Sequence, residues 1–218
     1  MSDEEKDYIK YKLALLGDTL VGKSSIFKKI SKNEFYEHII ATIGSDKKTL
    51  NFDNIEVNLN GTKVKRSFQI SLYDTAGQEK YRSIAGNYFK NSDGIIIIYD
   101  ITNQKSFENI EIWLESIKEI LSDWNDQNYL IMLLGNKLDL VNDKRKNREV
   151  QVEDGKNKCN DIGMVWGGEC SAKEFTDKQL IDIIEMFVKQ IFERTKLKSP
   201  NNSSILSKPN QTKKKCCK

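Results

Sequence analysis

The chain has 218 residues, of which 38% are hydrophobic and 31% charged, and its formal net charge is +3. This length and composition indicate a globular protein of one or at most two domains and exclude a disordered chain. The charge is divided unevenly. From Lys196 to the end there are seven lysines and no acidic residue, so residues 1–195 carry 28 basic and 32 acidic residues, a net charge of −4. A slightly acidic body argues against a nucleic-acid-binding protein, and the basic tail is predicted to have a separate role.

Local features of the sequence exclude several other classes of protein. No apolar run approaches the roughly 20 residues that span a bilayer. The acidic start over residues 1–5 predicts no signal peptide, and Ser2 stands where N-myristoylation requires glycine. The cysteines form neither a disulfide framework nor a zinc motif, which favours a reducing compartment. They are two single residues, expected to be small core side chains, and one adjacent pair: Cys159, Cys170, Cys216 and Cys217.

Strand-like and helix-like patterns alternate along the chain. Continuous apolar runs, typical of strands buried on both faces of a parallel sheet, cover residues 11–17, 94–100 and 129–135. Two extended stretches around Asn60-Gly61 predict a hairpin over residues 48–58 and 63–74. Helical periodicity covers residues 22–30, 106–124, 152–160 and 177–195. This alternation predicts an α/β fold with a mostly parallel sheet, whose ligands bind at the carboxyl ends of the strands.

The first apolar run is followed by Gly-x-x-x-x-Gly-Lys-Ser and then by a helix. Glycines let the backbone wrap tightly, so that its N–H groups and the helix N-terminus face phosphate oxygens. Lys23 is expected to reach the β- and γ-phosphates, and the Ser24 hydroxyl to bind Mg²⁺. The predicted phosphate-binding residues are Gly17, Asp18, Thr19, Leu20, Val21, Gly22, Lys23, Ser24 and Ser25. The motif predicts a nucleoside triphosphate and leaves its base open.

The second strand of the predicted hairpin ends in Asp74-Thr-Ala-Gly77-Gln78. A carboxylate at the end of a strand can hold a water bound to Mg²⁺, and the N–H of Gly77 can sense a γ-phosphate. The Gln78 amide both donates and accepts, which suits it to orient an attacking water. A strand that simply ends in a turn would also account for Asp74 and Gly77, but not for the glutamine.

Two later strand ends carry residues that select a purine base. Guanine presents an N1–H and an N2 amine side by side, whereas adenine has no such pair of donors, so the Asp139 carboxylate favours guanine. Asn136 can tie its loop to the phosphate loop, and the stem of Lys137 can lie over the base. The segment after the sixth strand offers a backbone N–H to the guanine O6. The predicted base-binding residues are Asn136, Lys137, Asp139, Ser171, Ala172 and Lys173.

Taken together, these motifs resemble the Ras superfamily of small GTPases and, within it, the Rab branch. The resemblance covers about residues 10–195 and the extreme C-terminus; its Rab-like segments are 42–44, 74–79, 81–84, 99–102 and 216–217. It implies the P-loop GTPase fold, a six-stranded mostly parallel sheet with one antiparallel strand and about five flanking helices. The implied organisation is an N-terminal extension over 1–9, a GTPase domain over 10–198 and a disordered tail over 199–218.

The resemblance also implies an activity. The chain is expected to hydrolyse GTP to GDP and phosphate, with Gln78 as the catalytic residue. Mg²⁺ is expected on Ser24, on Thr42 and, through water, on Asp74, and the Phe35 ring against the guanine. Residues from about 36 to 46 and 77 to 91 correspond to two switches that the γ-phosphate orders. The single histidine, His38, lies in the first switch, where an exposed loop residue is expected rather than a catalytic or metal-binding one.

The implied partners are those of a membrane-attached switch. They are an exchange factor, a GTPase-activating protein, a GDP-dissociation inhibitor or escort protein, and effectors that contact the switches. Cys216 and Cys217 resemble the Rab dicysteine signal, in which both thiols are geranylgeranylated. Two lipid chains and nearby lysines give stable anchoring, so a monomer is expected on the cytoplasmic face of an endomembrane or vesicle, cycling with the cytosol. The implied biological role is vesicle and protein transport.

Several positions depart from the Rab pattern. Leu20 stands in the phosphate loop where a glycine or small residue is usual, and is expected to affect hydrolysis more than binding. Lys47 replaces an aromatic and Tyr73 a tryptophan at positions that, with Tyr88, resemble an effector-binding triad. The interval from Thr42 to Asp74 is long, which predicts an extended hairpin. The loop over residues 143–148 is also enlarged, and it is expected to be a solvated loop rather than a site for an anionic partner.

Two alternatives remain open. One is a GTP-bound scaffold in which Leu20 or Lys47 has compromised the cycle of hydrolysis and exchange. The other is an ATP-using kinase or ATPase with a P-loop, which the Asn136–Asp139 motif disfavours.

Overall fold

The computed structural model describes residues 7–35, 45–59, 61–75, 92–121 and 129–197. Six strands form one sheet: β1 (Ile9–Leu16), β2 (Ser45–Leu59), β3 (Thr62–Thr75), β4 (Gly94–Asp100), β5 (Leu130–Asn136) and β6 (Val165–Glu169). The helices of the described residues are α1 (Lys23–Lys32), α2 (Gln104–Glu108), α3 (Ile110–Ile120), α4 (Leu138–Asn142), α5 (Val152–Ile162) and α6 (Asp177–Leu197).

The strand order in the sheet is β2-β3-β1-β4-β5-β6. All neighbouring strands are parallel except β2 and β3, which form an antiparallel hairpin. The predicted six-stranded α/β fold with one antiparallel strand is therefore confirmed. The order changes direction at β1, and the loops that leave the carboxyl ends of β1 and its neighbours meet there, where open α/β sheets bind their ligands.

The central strands are buried because helices cover both faces of the sheet. Every residue of β4 and β5 is buried, which explains their unbroken apolar sequences. Side chains of β1 alternate between two core layers. Leu13 and Leu15 pack with residues of α1 and α6, whereas Ala14 and Leu16 pack with residues of α3 and α5. Cys159 and Cys170 are buried, as expected for small core residues.

The β2–β3 hairpin extends beyond the rest of the sheet. β1 pairs with residues 68–74 of β3, whereas β2 pairs with β3 along residues 62–75. The projecting part contains a register shift after Phe52, where Asn54 adopts a left-handed φ of 56°. It is held against α6, since Val57 is buried in the core and the Asn58 N–H donates to Glu193 Oε1 at 2.9 Å. The extended hairpin that the long interval from Thr42 to Asp74 predicted is therefore present.

The prediction of one helix over 106–124 is wrong. The chain forms α2 and α3 there, separated at Asn109, and its residues 122–128 lie outside the described part. Helical periodicity is nearly continuous across Asn109, so the sequence pattern did not show the break. Residues 138–142 form the short α4, which was not predicted. Within the described residues, no helix is long and apolar enough to cross a bilayer.

Candidate functional site

The phosphate loop joins β1 to α1 and fits only if two of its positions are glycine. Gly17 has a φ of 130°, and a Cβ there would lie 2.1 Å from the carbonyl oxygen of Ile98. Gly22 has a φ of 100°, and its Cβ would lie 2.2 Å from the Asn136 amide nitrogen. Both conformations favour glycine. The loop is thus set tightly between β4 and the end of β5.

Lys23 is the first residue of α1, and its ammonium group lies over the loop. Nζ donates to the carbonyl oxygens of Gly17 at 2.9 Å and Asp18 at 2.7 Å. The residue is only 4% exposed. Burial lowers the pKa of Lys23 to about 8, although the negative charges of Asp74 and Asp18 act in the opposite direction. A buried cation with two neutral acceptors is suited to bind an anion such as a phosphate.

Asp18 fixes the phosphate loop to the helices on the other side of the sheet. Its two carboxylate oxygens accept hydrogen bonds from Asn109 Nδ2 and from Trp113 Nε1, both at 2.7 Å. Sequence reasoning missed both donors, because Trp113 follows the apolar period of α3 and reads as a core residue. Both carboxylate oxygens of Asp18 therefore serve to fix the position of the phosphate loop.

Asp74 lies at the carboxyl end of β3, level with Leu15 of β1. It is 1% exposed, and its Oδ1 is buried without a hydrogen-bond partner. Burial raises the pKa of Asp74 to about 6, while a hydrogen bond with Ser24 and the charge of Lys23 act to lower it. A buried carboxylate oxygen without a donor is unusual and suits a cation. Ser24 and Asp74 therefore fit a magnesium ion.

In the described part of the chain, no three His, Cys, Asp or Glu side chains are grouped so that they could hold a metal. Mg²⁺ in nucleotide sites usually takes several of its ligands from phosphate oxygens and water, and Thr42, the other residue expected to bind it, lies outside the described residues.

Asn136 ends β5 and connects three loops. Its Nδ2 donates to the Val21 carbonyl oxygen of the phosphate loop at 2.9 Å. Its Oδ1 accepts the N–H of Ala172 at 3.1 Å and the thiol of Cys170 at 3.6 Å. The side chain is buried at 2% exposure, so every one of these contacts is shielded from water. The contact between Asn136 and the phosphate loop that the sequence suggested is present.

The Asp139 carboxylate lies beside the same loops. Ser171 Oγ donates to Asp139 Oδ1 at 2.7 Å, and the N–H groups of Lys173 and Glu174 donate to Ser171 Oγ at 3.2 and 3.0 Å. Arg145 Nη2 contacts Asp139 Oδ2 at 2.8 Å. This arginine belongs to the enlarged loop, where the sequence favoured solvated side chains.

Lys137 is oriented by a buried carboxylate. Its backbone is left-handed with a φ of 74°, and its Nζ pairs with Asp100 Oδ2 at 2.8 Å. The other oxygen of Asp100 accepts the N–H and the hydroxyl of Thr102. Asp100 was not among the predicted site residues, although it ends a strand in the same way as Asp74 and Asn136 do.

The structure therefore brings most of the predicted site together at one edge of the sheet: the phosphate loop, Ser24, Asp74, Asn136, Lys137, Asp139 and residues 171–173. Phe35 lies at the end of the first described segment, where it is half-buried and packs against the core. The other predicted site residues and the Rab-like positions near them lie outside the described residues: His38, Thr42, Gly77, Gln78, Tyr88, Cys216 and Cys217.

Two departures from the Rab pattern are visible. Leu20 has a left-handed φ of 67° and is 73% exposed. A backbone conformation that favours glycine therefore carries a large, exposed apolar side chain. Lys47 lies opposite Tyr73 in the β2–β3 ladder. Its Nζ is 5.7 Å from the centroid of the Tyr73 ring, and Lys12 Nζ lies 4.8 Å from the same centroid. This sheet face is cationic around a single aromatic ring.

Comparison with known proteins gives one family. A model described as the Ras family matches residues 12–193. The Ras-related protein RIC1 of Oryza sativa subsp. japonica is 38% identical, over 79% of this chain and 76% of its own length. The Ras-related protein Rab-8B of Pongo abelii is 39% identical, over 78% of this chain and 73% of its own. The Ras-related protein RabC of Dictyostelium discoideum is 33% identical, over 97% of this chain and all of its own.

The raised pKa of Asp74 predicts how Asp74→Asn changes stability. A pKa raised from 3.8 to about 6 means that the ionised carboxylate costs the ligand-free fold about 3 kcal/mol at pH 7. This cost is relieved as the pH falls from about 6 to about 4, since the folded state takes up the proton first. Asp74→Asn should therefore stabilise the ligand-free protein at pH 7 and have little effect near pH 4.

Denaturant unfolding in EDTA at several pH values measures this difference. Asp161→Asn, which neutralises an exposed carboxylate on α5, is the control and should leave the free energy of unfolding nearly unchanged. A destabilising effect of Asp74→Asn at pH 7, or an effect that is the same at pH 7 and pH 4, would contradict the conclusion that the buried Asp74 carboxylate destabilises the ligand-free fold.

Proposed function

The chain belongs to the Ras family, and within it to the Rab GTPases; from that membership we propose that it is a GTP-hydrolysing switch that acts in vesicle and protein transport. The observation that carries this proposal is the set of contacts made by Asn136. Its side chain joins the phosphate loop to the loop after β6, three residues before the Asp139 carboxylate. The groups that suit a triphosphate and those that suit a base are therefore held as one site.

Base selection is assigned to Asp139. Its carboxylate is fixed by Ser171 and accepts hydrogen bonds only, which matches the N1–H and N2 amine of guanine. Adenine has no such pair of donors, so it would make none of the hydrogen bonds to Asp139 that guanine makes. The Ala172 N–H is held by Asn136, and a neighbouring backbone N–H in residues 171–173 would meet the guanine O6. Phe35 and the Lys137 stem would cover the faces of the base.

Catalysis is assigned to charge stabilisation and to positioning. The Lys23 ammonium, already buried beside the loop carbonyls, would bind the β- and γ-phosphates. Ser24 and Thr42 would hold Mg²⁺, with Asp74 acting through a bound water; when bound, the ion supplies positive charge to the phosphate oxygens. Gln78 would orient the water that attacks the γ-phosphorus in line, and loop N–H groups would stabilise charge on the equatorial oxygens.

The proposed hydrolysis of GTP is slow in the absence of an activating protein. The phosphate loop and the residues around Thr42 contain no arginine, so no guanidinium is supplied in cis to the transferred phosphoryl group. An activating protein that lends an arginine would raise the rate by a factor of about 10³ to 10⁵. The output of hydrolysis is a change in the switches at residues 36–46 and 77–91, which effectors and an exchange factor would read.

A second candidate is a GTP-bound scaffold, and the conformation of Leu20 favours it. A non-glycine residue with a φ of 67° is strained by about 1 to 2 kcal/mol. Its exposed side chain lies on the loop that would surround the γ-phosphate. Crowding of the attacking water there would slow hydrolysis while leaving the guanine contacts of Asp139 intact.

Single-turnover hydrolysis of bound GTP separates the two candidates. We expect wild type with an activating protein to hydrolyse GTP at least about 100-fold faster than Gln78→Leu, which has no amide to orient water. Leu20→Gly should hydrolyse at the wild-type rate or faster. Wild type that is no faster than Gln78→Leu even with activator would contradict the switch and support the scaffold.

The C-terminal tail is proposed to attach the protein to membranes. Cys216 and Cys217 would carry the lipid chains, and the tail lysines would contact anionic headgroups on the cytoplasmic face of an endomembrane. A GDP-dissociation inhibitor or escort protein would return the monomer to the cytosol. This division of labour is supported by the separation of charge, with a net −4 over residues 1–195 and seven lysines after them.

Replacement of both tail cysteines tests the anchor. The double variant Cys216→Ser and Cys217→Ser should move to the soluble fraction of cells and keep the wild-type affinity for GDP, since neither residue belongs to the GTPase domain. Ser207→Ala, in the same tail, is the control and should remain on membranes. A double variant that stays on membranes would contradict anchoring by two lipids.

A further inference from the structure

The base-selecting carboxylate is contacted by an arginine from the enlarged loop. Arg145 Nη2 lies 2.8 Å from Asp139 Oδ2 and 2.9 Å from Asp143 Oδ2. The Asp139 side chain is 7% exposed, whereas the side chains of Arg145 and Asp143 are 40% and 48% exposed. The arginine therefore approaches a buried carboxylate from the solvent side of the site.

The backbone after α4 brings Arg145 to this position. The Asp143 N–H donates to the Asp139 carbonyl and closes the helix, and Lys144 then adopts a left-handed φ of 55°. The N–H groups of Arg145 and Lys146 both donate to the carbonyl oxygen of Leu140, at 2.9 and 3.0 Å. The chain is thus folded back on α4, and this fold of the loop brings the Arg145 side chain to the Asp139 carboxylate.

A guanidinium and the edge of guanine offer a carboxylate the same pattern of donors. Both are planar, and both present adjacent N–H groups that a carboxylate accepts. Asp139 Oδ1 is already bonded to Ser171, so Oδ2 is the oxygen whose protein partner comes from the solvent side. We propose that Arg145 is an internal competitor of guanine, which occupies Asp139 in the nucleotide-free protein and is displaced when the base binds. This inference rests on the proposed function, because it assumes that Asp139 reads guanine.

Asp143 allows the displacement to occur without leaving a charge unpaired. Arg145 already contacts both carboxylates, so it can release Asp139 and remain paired with Asp143 at the surface. Asp139 can bind guanine only in the molecules in which Arg145 has released it. The apparent affinity for guanine is therefore reduced in proportion to that fraction of molecules. Arg145 would therefore weaken GDP binding and favour the nucleotide-free state through which exchange proceeds.

Three variants of the full chain test this role. The measured quantity is the dissociation constant for a fluorescent GDP, from its association and release rates. Arg145→Ala should tighten GDP binding, by up to about fivefold for a partly exposed ion pair. Asp143→Asn should weaken it, because Arg145 then has Asp139 as its remaining carboxylate partner. Lys146→Ala removes a cation from the same loop without touching Asp139 and should not tighten binding.

The signs of these changes separate competition from other roles. Removal of a cation near a polyanionic ligand by itself weakens binding, so tighter binding by Arg145→Ala requires competition. Wild-type or weaker affinity in Arg145→Ala would overturn the inference and make Arg145 a residue that positions Asp139. If wild type binds GDP and only this result fails, the proposed function stands. A wild-type protein that binds no GDP would instead overturn the proposed function and this inference with it.

Discussion

The arrangement of the site depends on one buried amide. Asn136 donates to Val21 in the phosphate loop and accepts from Ala172 in the loop after β6, so segments about 115 and 36 residues away in sequence share one side chain. Because the amide is shielded from water, its hydrogen bonds are strong, and losing one partner would leave a buried polar group without compensation. Gly22 is part of the same constraint, because a Cβ would meet the Asn136 amide. The relative position of the phosphate and base contacts follows from this packing.

Near that amide lie two buried charged side chains, Lys23 and Asp74, whose charges the protein does not fully compensate. Burial lowers the pKa of Lys23 and raises that of Asp74, although each lies near the other's opposite charge. Asp74 Oδ1 also has no hydrogen-bond partner. A phosphate beside Lys23 and a divalent cation beside Asp74 would remove both costs, so ligand binding and folding are coupled here. Lys137 and Asp139, by contrast, have protein partners already, in Asp100, Ser171 and Arg145.

Local sequence patterns predicted the sheet and the strand ends that carry the site. Unbroken apolar runs identified β4 and β5, and the Gly-x-x-x-x-Gly-Lys-Ser spacing identified the turn from β1 into α1. The contacts of Asp18 with Asn109 and Trp113 could not be predicted, because they join positions more than 90 residues apart in sequence and Trp113 fits the apolar period of its helix. The break at Asn109 was hidden by that same period. Arg145 was hidden because its charged loop resembles a solvated one until the chain folds back on Leu140.

The proposed function and the inferred role of Arg145 both rest on the assignment of Asp139 as the residue that binds guanine. The most direct test is the affinity of the wild-type protein for GDP and for ADP, measured by calorimetry with Mg²⁺ at neutral pH. The two ligands share their phosphates and differ only in the base, so the ratio measures the base selection that is assigned to Asp139 and the N–H groups of residues 171–173. The account predicts that GDP binds at least about 10³-fold more tightly than ADP, as sites that bond a donor edge discriminate. Similar affinities for GDP and ADP would contradict it.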